Sequence, residues 1–469
     1  MKILLTVLAT AMLLAGCDSS EPIESNSGGS GAEAQLRCAL PSADQVFQSK
    51  SPDQLDLDPQ AVADAALYAT ATNAQSIRIY RYGCLAGTGP LDPLTESVPN
   101  NVWSTTKGVV SVLTGRAIQL GLLELDDPIG KYLPEADAEH AAITVRELLT
   151  QSSGLRFSWS GDIVSSLAAP DSVSYTLALP FVAPRGTEFS YGQTTVTLMA
   201  KVVERAVGED LQEFAQRELF EPIGIAREDW FWLRDRVGNT QGYAFLFIAS
   251  KNLGRIGSLM LNGGVWNGLR LIDSRYVAEA GRSSPTNGFY GYLLWSNQGD
   301  SGYPVELLSE VKEVEHPLVP SAPRDMYMFV GFLDQMIFVI PSLDMVVIRT
   351  GLPGNYELDV HTVTTAHPGR WMHEFFRILM RGVRDQQIAD PGPYDGYNTP
   401  APLDLQYFVD PIGIAGSLTL GPLAPQGCNL LGCDGGISYE GLVQSYQDAV
   451  CILLHICLAT PMRSGAALD

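Results

Sequence analysis

Positive charge is scarce in this 469-residue chain, in which 30 lysine and arginine residues stand against 52 aspartate and glutamate residues. The formal net charge of −22 repels phosphate, so nucleic acid is excluded as a partner. The six histidines form no H-E-x-x-H motif, and we expect neither a metal ion nor an organic cofactor. Only seven residues are lysines, so a lysine inside an apolar segment needs a physical reason.

The chain also lacks internal repeats and a high content of charge. Hydrophobic residues make up 46% of it and charged residues 17%, which is typical of a globular protein and not of a disordered or coiled-coil one. Its length is sufficient for about two to four domains.

The N terminus holds an unbroken apolar run, MKILLTVLATAMLLAG, which is too short to be a good membrane span and is typical of a secretory signal. Leu14 to Cys17 reads L-A-G-C and looks like a bacterial lipobox, which predicts cleavage before Cys17 and lipid on its sulfur. A plain signal peptide with an accidental cysteine is the alternative. We expect residues 1–16 to be the signal and residues 17–35, rich in Ser, Gly and Glu, to be a flexible tether. The protein would then be a lipoprotein of the bacterial cell envelope that faces the periplasm, on the inner or the outer membrane.

Six cysteines remain after such cleavage, and an even number in an exported protein favours disulfides. We expect a bridge between Cys38 and Cys84 and two local bridges near the C terminus, where the other four cysteines lie in CNLLGC and CILLHIC. A metal site formed by those four is the weaker alternative, because the second spacing is too wide. Residues 386–469 form a Pro/Gly-rich, cysteine-bearing C-terminal extension of unassigned role.

Strand patterns lie at both ends of the central region, with helical patterns between them. SIRIYRYG alternates polar and apolar residues, whereas MYMFVGF, QMIFVIP and MVVIRTG read as three buried strands of an antiparallel meander. Residues 125–235 are mostly helical. We therefore predict an α/β (α+β) fold, with an antiparallel sheet flanked by helices and an inserted, mostly helical domain.

One of the seven lysines begins an apolar helix. Ser104 to Lys107 reads S-T-T-K, and a separation of three residues places both side chains on one face of a helix. In the first turn, free backbone N–H groups favour a developing oxyanion. A neutral lysine could take the serine proton, provided that burial or a cation lowers its pKa from about 10.4. A second S-x-x-K, from Ser309 to Lys312, lies in a polar acidic stretch and predicts an exposed segment.

The context of Ser104 resembles the serine β-lactamase and penicillin-binding protein superfamily. The run VWSTTKGVVSVLTGRAIQLGLLELDDPIGKYLP carries the resemblance, with ITVRELLTQSSGL and PRGTEFSYGQ after it. The branch it looks most like contains class C β-lactamases, D-aminopeptidases, esterases and 6-aminohexanoate-oligomer hydrolases. The resemblance runs from about residue 60 to 385 and implies a β-lactamase/transpeptidase-like domain over residues 36–385, with a helical subdomain at roughly 125–235.

The resemblance implies a role for each motif residue. Ser104 would be the acylated nucleophile and Lys107 its partner. Tyr191, which matches the tyrosine of Y-x-N, would share the base role, with its pKa held below about 10 by nearby cations. Gln193 stands where the branch usually has asparagine, and its amide could bind the substrate or Lys107.

The third motif departs from the family pattern. Where lactamases carry Lys-Thr-Gly, the chain reads F-V-G from Phe329 to Gly331. An R-T-G that starts at Arg349 is the alternative, but it lies on a later strand than the family places it. With Gly331 as the motif glycine, Phe329 and Gly331 would contact the substrate, and the backbone N–H groups of Ser104 and Phe332 would form the oxyanion hole. A phenylalanine cannot bind the carboxylate of a β-lactam.

These features predict a lipid-anchored serine hydrolase that acts through an acyl-enzyme on a neutral ester or amide. Its partners would be a small-molecule ester, amide or lactam substrate and, through Cys17, the membrane. A β-lactamase or D,D-peptidase remains an alternative. A non-catalytic binding lipoprotein on the same scaffold is a third possibility, against which the intact Ser104 and Lys107 argue.

Overall fold

The computed structural model describes residues 36–43, 45–305, 311–354, 369–396, 408–430 and 432–433. The predicted signal peptide and tether, including Cys17, lie outside these residues. The helices of the described part are α1 (Pro59–Ala71), α2 (Asp92–Thr95), α3 (Thr105–Gln119), α4 (Val145–Leu149), α5 (Trp159–Ala168), α6 (Ser172–Leu177), α7 (Thr194–Val207), α8 (Leu211–Ala215), α9 (Ser250–Leu261), α10 (Ser274–Ala280), α11 (Arg370–Arg381) and α12 (Pro411–Ser417).

The strands of the same residues belong to four antiparallel sheets. They are β1 (Ala74–Arg81), β2 (Cys84–Thr88), β3 (Pro99–Asn101), β4 (Trp230–Trp232), β5 (Leu246–Ala249), β6 (Val265–Trp266), β7 (Leu269–Arg270), β8 (Trp295–Ser296), β9 (Tyr327–Gly331), β10 (Gln335–Ile340), β11 (Met345–Gly351), β12 (Cys428–Asn429) and β13 (Gly432–Cys433). The main sheet has the order β2-β1-β11-β10-β9-β8, and a smaller sheet has the order β3-β5-β4. The predicted meander is therefore confirmed as β9, β10 and β11.

Helices cover both faces of the main sheet. Successive side chains of β10 point to opposite faces. Ile337 lies against Gly257 of α9 on one face, whereas the Phe338 ring lies 5.0 Å from that of Phe376 in α11 on the other. A strand buried on both faces has no polar side to show, which is why the three meander strands read as unbroken apolar runs.

The predicted fold class, an antiparallel sheet flanked by helices, is confirmed. Between residues 125 and 235 the described regular elements are helices and helical turns until β4 begins at Trp230. Two of these helices have the ends that their sequences indicate. A capping box between Thr144 and Glu147 begins α4, and Gly208, with a φ of 73°, ends α7. The boundaries of a separate subdomain stay a prediction.

Two of the three predicted disulfides lie in the described residues. Cys38 bonds to Cys84, and Cys428 bonds to Cys433. The second bond removes two of the cysteines from the alternative metal site, and the remaining cysteine pair, in CILLHIC, lies outside the described residues.

The part of the C-terminal extension that the structure describes packs against the helical region. Helix α12 contacts α5, and the Ser417 hydroxyl donates a hydrogen bond of 2.6 Å to the Gly161 carbonyl. Among the described residues, no helix has both the length and the apolar character that crossing a membrane requires.

Candidate active site

Hydrogen bonds join the turn that carries Ser104 to β3 of the smaller sheet and to β10 of the main sheet. Ser104 is the N-cap residue of α3, and its hydroxyl does not cap the helix. The preceding residue, Trp103, has a φ of 46°, and its N–H donates to the Asn101 side chain at 2.9 Å. The Thr105 hydroxyl donates to the carbonyl of Gln335, at the start of β10, at 2.6 Å. A positive φ in a tryptophan is strained and persists only where the surroundings fix it, so these bonds present Ser104 on a rigid, sharp turn.

Lys107 lies beneath the serine with three oxygen neighbours. Its Nζ is 3.0 Å from the Ser104 Oγ, 2.6 Å from Oε1 of Gln193 and 3.0 Å from the backbone carbonyl of Tyr243. The side chain is 1% exposed. This burial lowers the pKa of Lys107 well below its usual value, although the attraction of Asp162 opposes the shift.

The neighbours of Lys107 suit a neutral amine that accepts a proton. The Gln193 Nε2 donates to the Tyr191 carbonyl at 3.0 Å, which fixes Oε1 as the atom facing Lys107. Oε1 and the Tyr243 carbonyl can only accept, so they take the two N–H bonds of a neutral amine. Its lone pair then faces the one neighbour that can donate, the hydroxyl of Ser104.

Tyr191 joins the same cleft, but its titration differs from the prediction. Its hydroxyl shares hydrogen bonds with the Ser104 hydroxyl and the Trp295 indole, and its ring centre lies 4.8 Å from the Lys107 Nζ. Burial raises the pKa of Tyr191 to about 12, more than those two hydrogen bonds lower it. The predicted lowering by nearby cations is therefore wrong, because the adjacent amine has itself lost affinity for its proton. Tyr191 is a phenol at neutral pH.

Asp162, in the first turn of α5, is a residue of the site that sequence reasoning missed. Its Oδ2 accepts hydrogen bonds from the backbone N–H groups of Gln193, at 2.6 Å, and Thr194, at 3.4 Å. The residue is 2% exposed, and burial raises its pKa to about 7 against the lowering effect of those bonds and of Lys107. An aspartate in a helix is usually a surface residue, so the sequence carried no signal for it.

The third motif approaches the turn that carries Ser104 at Gly331. A Cβ on Gly331 would lie 2.3 Å from the Val102 carbonyl, so only glycine lets β9 approach the turn so closely. The centre of the Phe332 ring lies 5.5 Å from that of Trp103, the residue before Ser104. The turns that hold the two predicted oxyanion-hole residues, Ser104 and Phe332, are therefore neighbours. Phe329 is different: it is 1% exposed and packs against Gly108 behind the site. Its predicted contact with the substrate is therefore wrong.

The chain has family relatives over this region. Residues 60–242 match the family model described as Beta-lactamase. The match spans 183 of the 469 residues, so this segment is similar to the Beta-lactamase family. The predicted resemblance to the serine β-lactamase and penicillin-binding protein superfamily is thereby confirmed.

Proteins similar to this chain include some that are named as enzymes of acyl chemistry. The ML-236A carboxylate methylbutanoyltransferase of Penicillium citrinum is 28% identical over 160 residues, which are 29% of this chain and 38% of that protein. Esterase EstB of Burkholderia gladioli is 26% identical over 155 residues, 28% of this chain and 38% of that protein. The aligned part thus spans well under half of these relatives.

A solved structure supports the fold. A provisionally assigned 6-aminohexanoate-dimer hydrolase of Bacillus anthracis superposes with a TM-score of 0.52 and 17% identity, covering 69% of this chain and 87% of its own. At that identity the likeness concerns the β-lactamase/transpeptidase-like fold alone.

Among the described residues, the other candidate motifs supply none of the contacts given above for Ser104 and Lys107. The Arg349 guanidinium is fully buried in β11 and donates to three backbone carbonyls, so it is occupied by the fold. Of the second S-x-x-K, Lys312 is exposed and Ser309 lies outside the described residues. Within the described part of the chain, no group of three or more His, Cys, Asp or Glu is arranged to hold a metal ion.

Aromatic rings that the sequence did not point to surround Tyr191. Ring centres within 6.4 Å of its own belong to Trp159, Phe189, Tyr290 and Trp295. Of these, Trp159 and Phe189 are half-buried, so they give the cleft partly exposed apolar walls. They come from α5, the 181–193 loop, and the 288–296 segment, which no local pattern relates.

Proposed function

We propose that the protein is a serine hydrolase that forms an acyl-enzyme on Ser104 with neutral esters or amides. The observation that carries the proposal is the contact between the Lys107 amine and the Ser104 hydroxyl, with the pKa of the amine lowered by burial. A non-catalytic binding protein has no reason to keep a buried amine beside a hydroxyl.

In the acylation step, the Ser104 Oγ attacks the substrate carbonyl while its proton moves to the Lys107 Nζ. The carbonyl electrons move onto oxygen, and the backbone N–H groups of Ser104 and Phe332 stabilise that charge, with Gly331 setting the approach of the strand. Collapse of the intermediate breaks the bond to the leaving group. Since Tyr191 is protonated at neutral pH, its hydroxyl gives the leaving group a proton and is resupplied by the Lys107 ammonium.

Deacylation uses the same groups in reverse order. Lys107 is neutral again and takes a proton from water as the water oxygen attacks the acyl carbon. The Ser104 Oγ–C bond then breaks while the Lys107 ammonium returns its proton to Oγ, which frees the acid and restores the neutral amine. The Gln193 amide holds the amine in place through both steps, which is the role supported by its 2.6 Å contact.

A neutral substrate is supported by the residues at the third motif. The position that would carry a cation holds Phe329, whose side chain is in the core. The cation of the alternative motif, the Arg349 guanidinium, already donates its hydrogen bonds to backbone carbonyls. A β-lactamase or D,D-peptidase needs a cation for the substrate carboxylate. The partly exposed aromatic walls near Tyr191 also favour uncharged groups.

Transfer of the acyl group to an alcohol is a second candidate function, favoured by the similarity to a protein named as a methylbutanoyltransferase. It shares the acylation step and differs only in the acceptor. Product analysis with and without added alcohol distinguishes hydrolysis from transfer.

Anchoring at the bacterial cell envelope is part of the proposal. The support is the sequence alone, in which the apolar run ends at the L-A-G-C motif of Cys17. Expression of the full chain should yield a membrane-bound, palmitate-labelled protein facing the periplasm, and Cys17→Ser should lose the label. A Cys17→Ser protein that keeps the label would contradict the lipid site.

A fluorophosphonate probe tests the proposed reaction. The folded wild-type protein should gain one adduct, which peptide mass spectrometry places on Ser104, and Ser104→Ala should gain none. Turnover of short p-nitrophenyl esters should be lost in the same variant, whereas nitrocefin should not be hydrolysed. A folded wild-type protein without an adduct would refute the proposed serine hydrolase activity. Nitrocefin turnover that depends on Ser104 would instead indicate a β-lactamase.

A further inference from the structure

Asp162 occupies a position where two helices begin. It lies in the first turn of α5, whose N-cap is Ser158. The N–H groups that bind its Oδ2 belong to the N-cap residue and first residue of α7, Gln193 and Thr194. Helix N-termini attract negative charge, so one buried carboxyl group joins the start of α5 to the start of α7.

The same residue that Asp162 holds by its backbone contacts the catalytic amine by its side chain. The Gln193 N–H donates to Asp162, and the Gln193 Oε1 accepts from Lys107. A shift of the first turn of α7 would therefore move the amide that orients the Lys107 Nζ toward Ser104. Asp162 itself makes no hydrogen bond to Lys107 among the described contacts, so its hydrogen-bonded connection to the amine runs through Gln193.

The C-terminal extension holds α5 in place from the other side. The Asp410 N–H donates to the Ser160 hydroxyl at 2.7 Å, and the Arg156 guanidinium pairs with the Asp410 carboxylate at 2.7 Å. Together with the bond from Ser417 to Gly161, these contacts surround the turn of α5 that carries Asp162. Its position is thus fixed by the fold on both sides.

We propose that Asp162 is a positioning residue of the site, which anchors the start of α7 so that the Gln193 amide holds the Lys107 amine against Ser104. The inference rests on the proposed function. It assigns a role in the reaction to a residue outside the three family motifs, and it explains why a carboxyl group is kept in an environment that disfavours its charge.

The test compares two buried carboxyl groups of one kind. Asp162→Asn keeps the shape and one acceptor oxygen but removes the charge. Asp235→Asn is the matched control, since Asp235 is also buried, also accepts backbone N–H groups, from Ser172 and Asn239, and also has a pKa raised to about 7 by burial. Among the described hydrogen bonds, none joins Asp235 to Ser104, Lys107, Tyr191 or Gln193.

With p-nitrophenyl butyrate as the probe, Asp162→Asn should lower kcat by about 10-fold to 100-fold with little change in KM, because a misplaced catalytic group slows the reaction more than it weakens binding. Asp235→Asn should keep kcat within about twofold of the wild type. A merely structural role predicts equal effects of the two substitutions, and that result would overturn the proposal.

A double-mutant cycle with Gln193→Ala tests the route of the effect. If Asp162 acts through Gln193, the double variant should be no slower than Gln193→Ala alone, whereas independent roles would multiply the two losses. Multiplied losses would overturn the proposal. If Asp162→Asn does not fold, as judged by thermal melting, Asp162→Glu replaces it in the cycle with the same criterion.

The two proposals fail in different ways. A folded wild-type protein that gains no fluorophosphonate adduct on Ser104 overturns the hydrolase and this inference with it. A labelled wild-type protein in which Asp162→Asn reacts as fast as Asp235→Asn overturns the role of Asp162 alone.

Discussion

Burial changes the acid–base chemistry of Lys107, a residue type that usually lies at the surface. In water its amine would carry a proton at every physiological pH. Inside α3, the hydrogen-bond partners of its amine among the described residues are the oxygens of Ser104, Gln193 and Tyr243, and none of them is a carboxylate. The loss of hydration disfavours the charged form, and the attraction of the Asp162 carboxyl group opposes this effect only in part.

Replacing Lys107 by a side chain of similar length tests the base directly. Lys107→Met should slow the labelling of Ser104 by a fluorophosphonate about 10²- to 10⁴-fold, because methionine fills the space but accepts no proton. The rate of adduct formation, followed by intact mass, is the measurement. Lys201→Met is the control, since Lys201 in α7 pairs with Glu204. Equal labelling rates in the two variants would exclude Lys107 as the base.

Helix α3 and strand β9 approach each other closely enough to define the site. The contact is made at Gly108, one residue beyond the lysine, where a Cβ would lie 2.1 Å from the Phe329 ring. The close approach of the two elements places Gly331 against the turn of Ser104. Phe329 is thus important for the site without touching a substrate, because its ring sets the distance between the helix and the strand.

Adding a methyl group at this contact should destabilise the fold. Alanine favours a helix over glycine by about 1 kcal/mol, but overpacking of a buried ring costs about 1–3 kcal/mol, and at 2.1 Å we expect the second effect to win. Gly108→Ala should therefore lower the free energy of unfolding measured in urea. Gly108→Ala combined with Phe329→Leu should recover part of the loss, and an unchanged or raised stability of Gly108→Ala would contradict the packing.

Across the chain as a whole, covalent and non-covalent contacts join segments that are distant in sequence. The Cys38–Cys84 disulfide ties the beginning of the described domain to β2 and closes a separation of 46 residues. Strand β1, near the start, pairs with β11, more than 260 residues later. The main sheet therefore forms only when both ends of the domain are present.

Removing the first disulfide should weaken the entire domain. By loop entropy, Cys38→Ser with Cys84→Ser should lower the free energy of unfolding by about 2–4 kcal/mol, measured by denaturant unfolding without reductant. Cys428→Ser with Cys433→Ser is the comparison, because that bond closes a separation of 5 residues and should contribute about 2 kcal/mol or less. A larger loss from the second pair would contradict this account.

Local sequence patterns were enough to predict part of the candidate site. The S-x-x-K spacing indicated that Ser104 and Lys107 share one face of a helix, and the apolar run after them indicated burial. The Y-x-Q segment was found through the family resemblance, since a lone tyrosine carries no local signal. Asp162 was missed because its partners lie in α7, about thirty residues further along the chain, and Phe329 was misjudged because a strand sequence does not state which face of the strand meets the substrate.

The amino-acid sequence alone determined the elements and their chemistry: the apolar strands, the helix caps, the serine and lysine one turn apart, and the pairing of cysteines that are near neighbours in the sequence. Long-range packing determined the electrostatics. The pKa values of Lys107, Tyr191 and Asp162 depend on how far each group is removed from water, and burial is a property of distant elements packed together, which no short stretch of sequence contains.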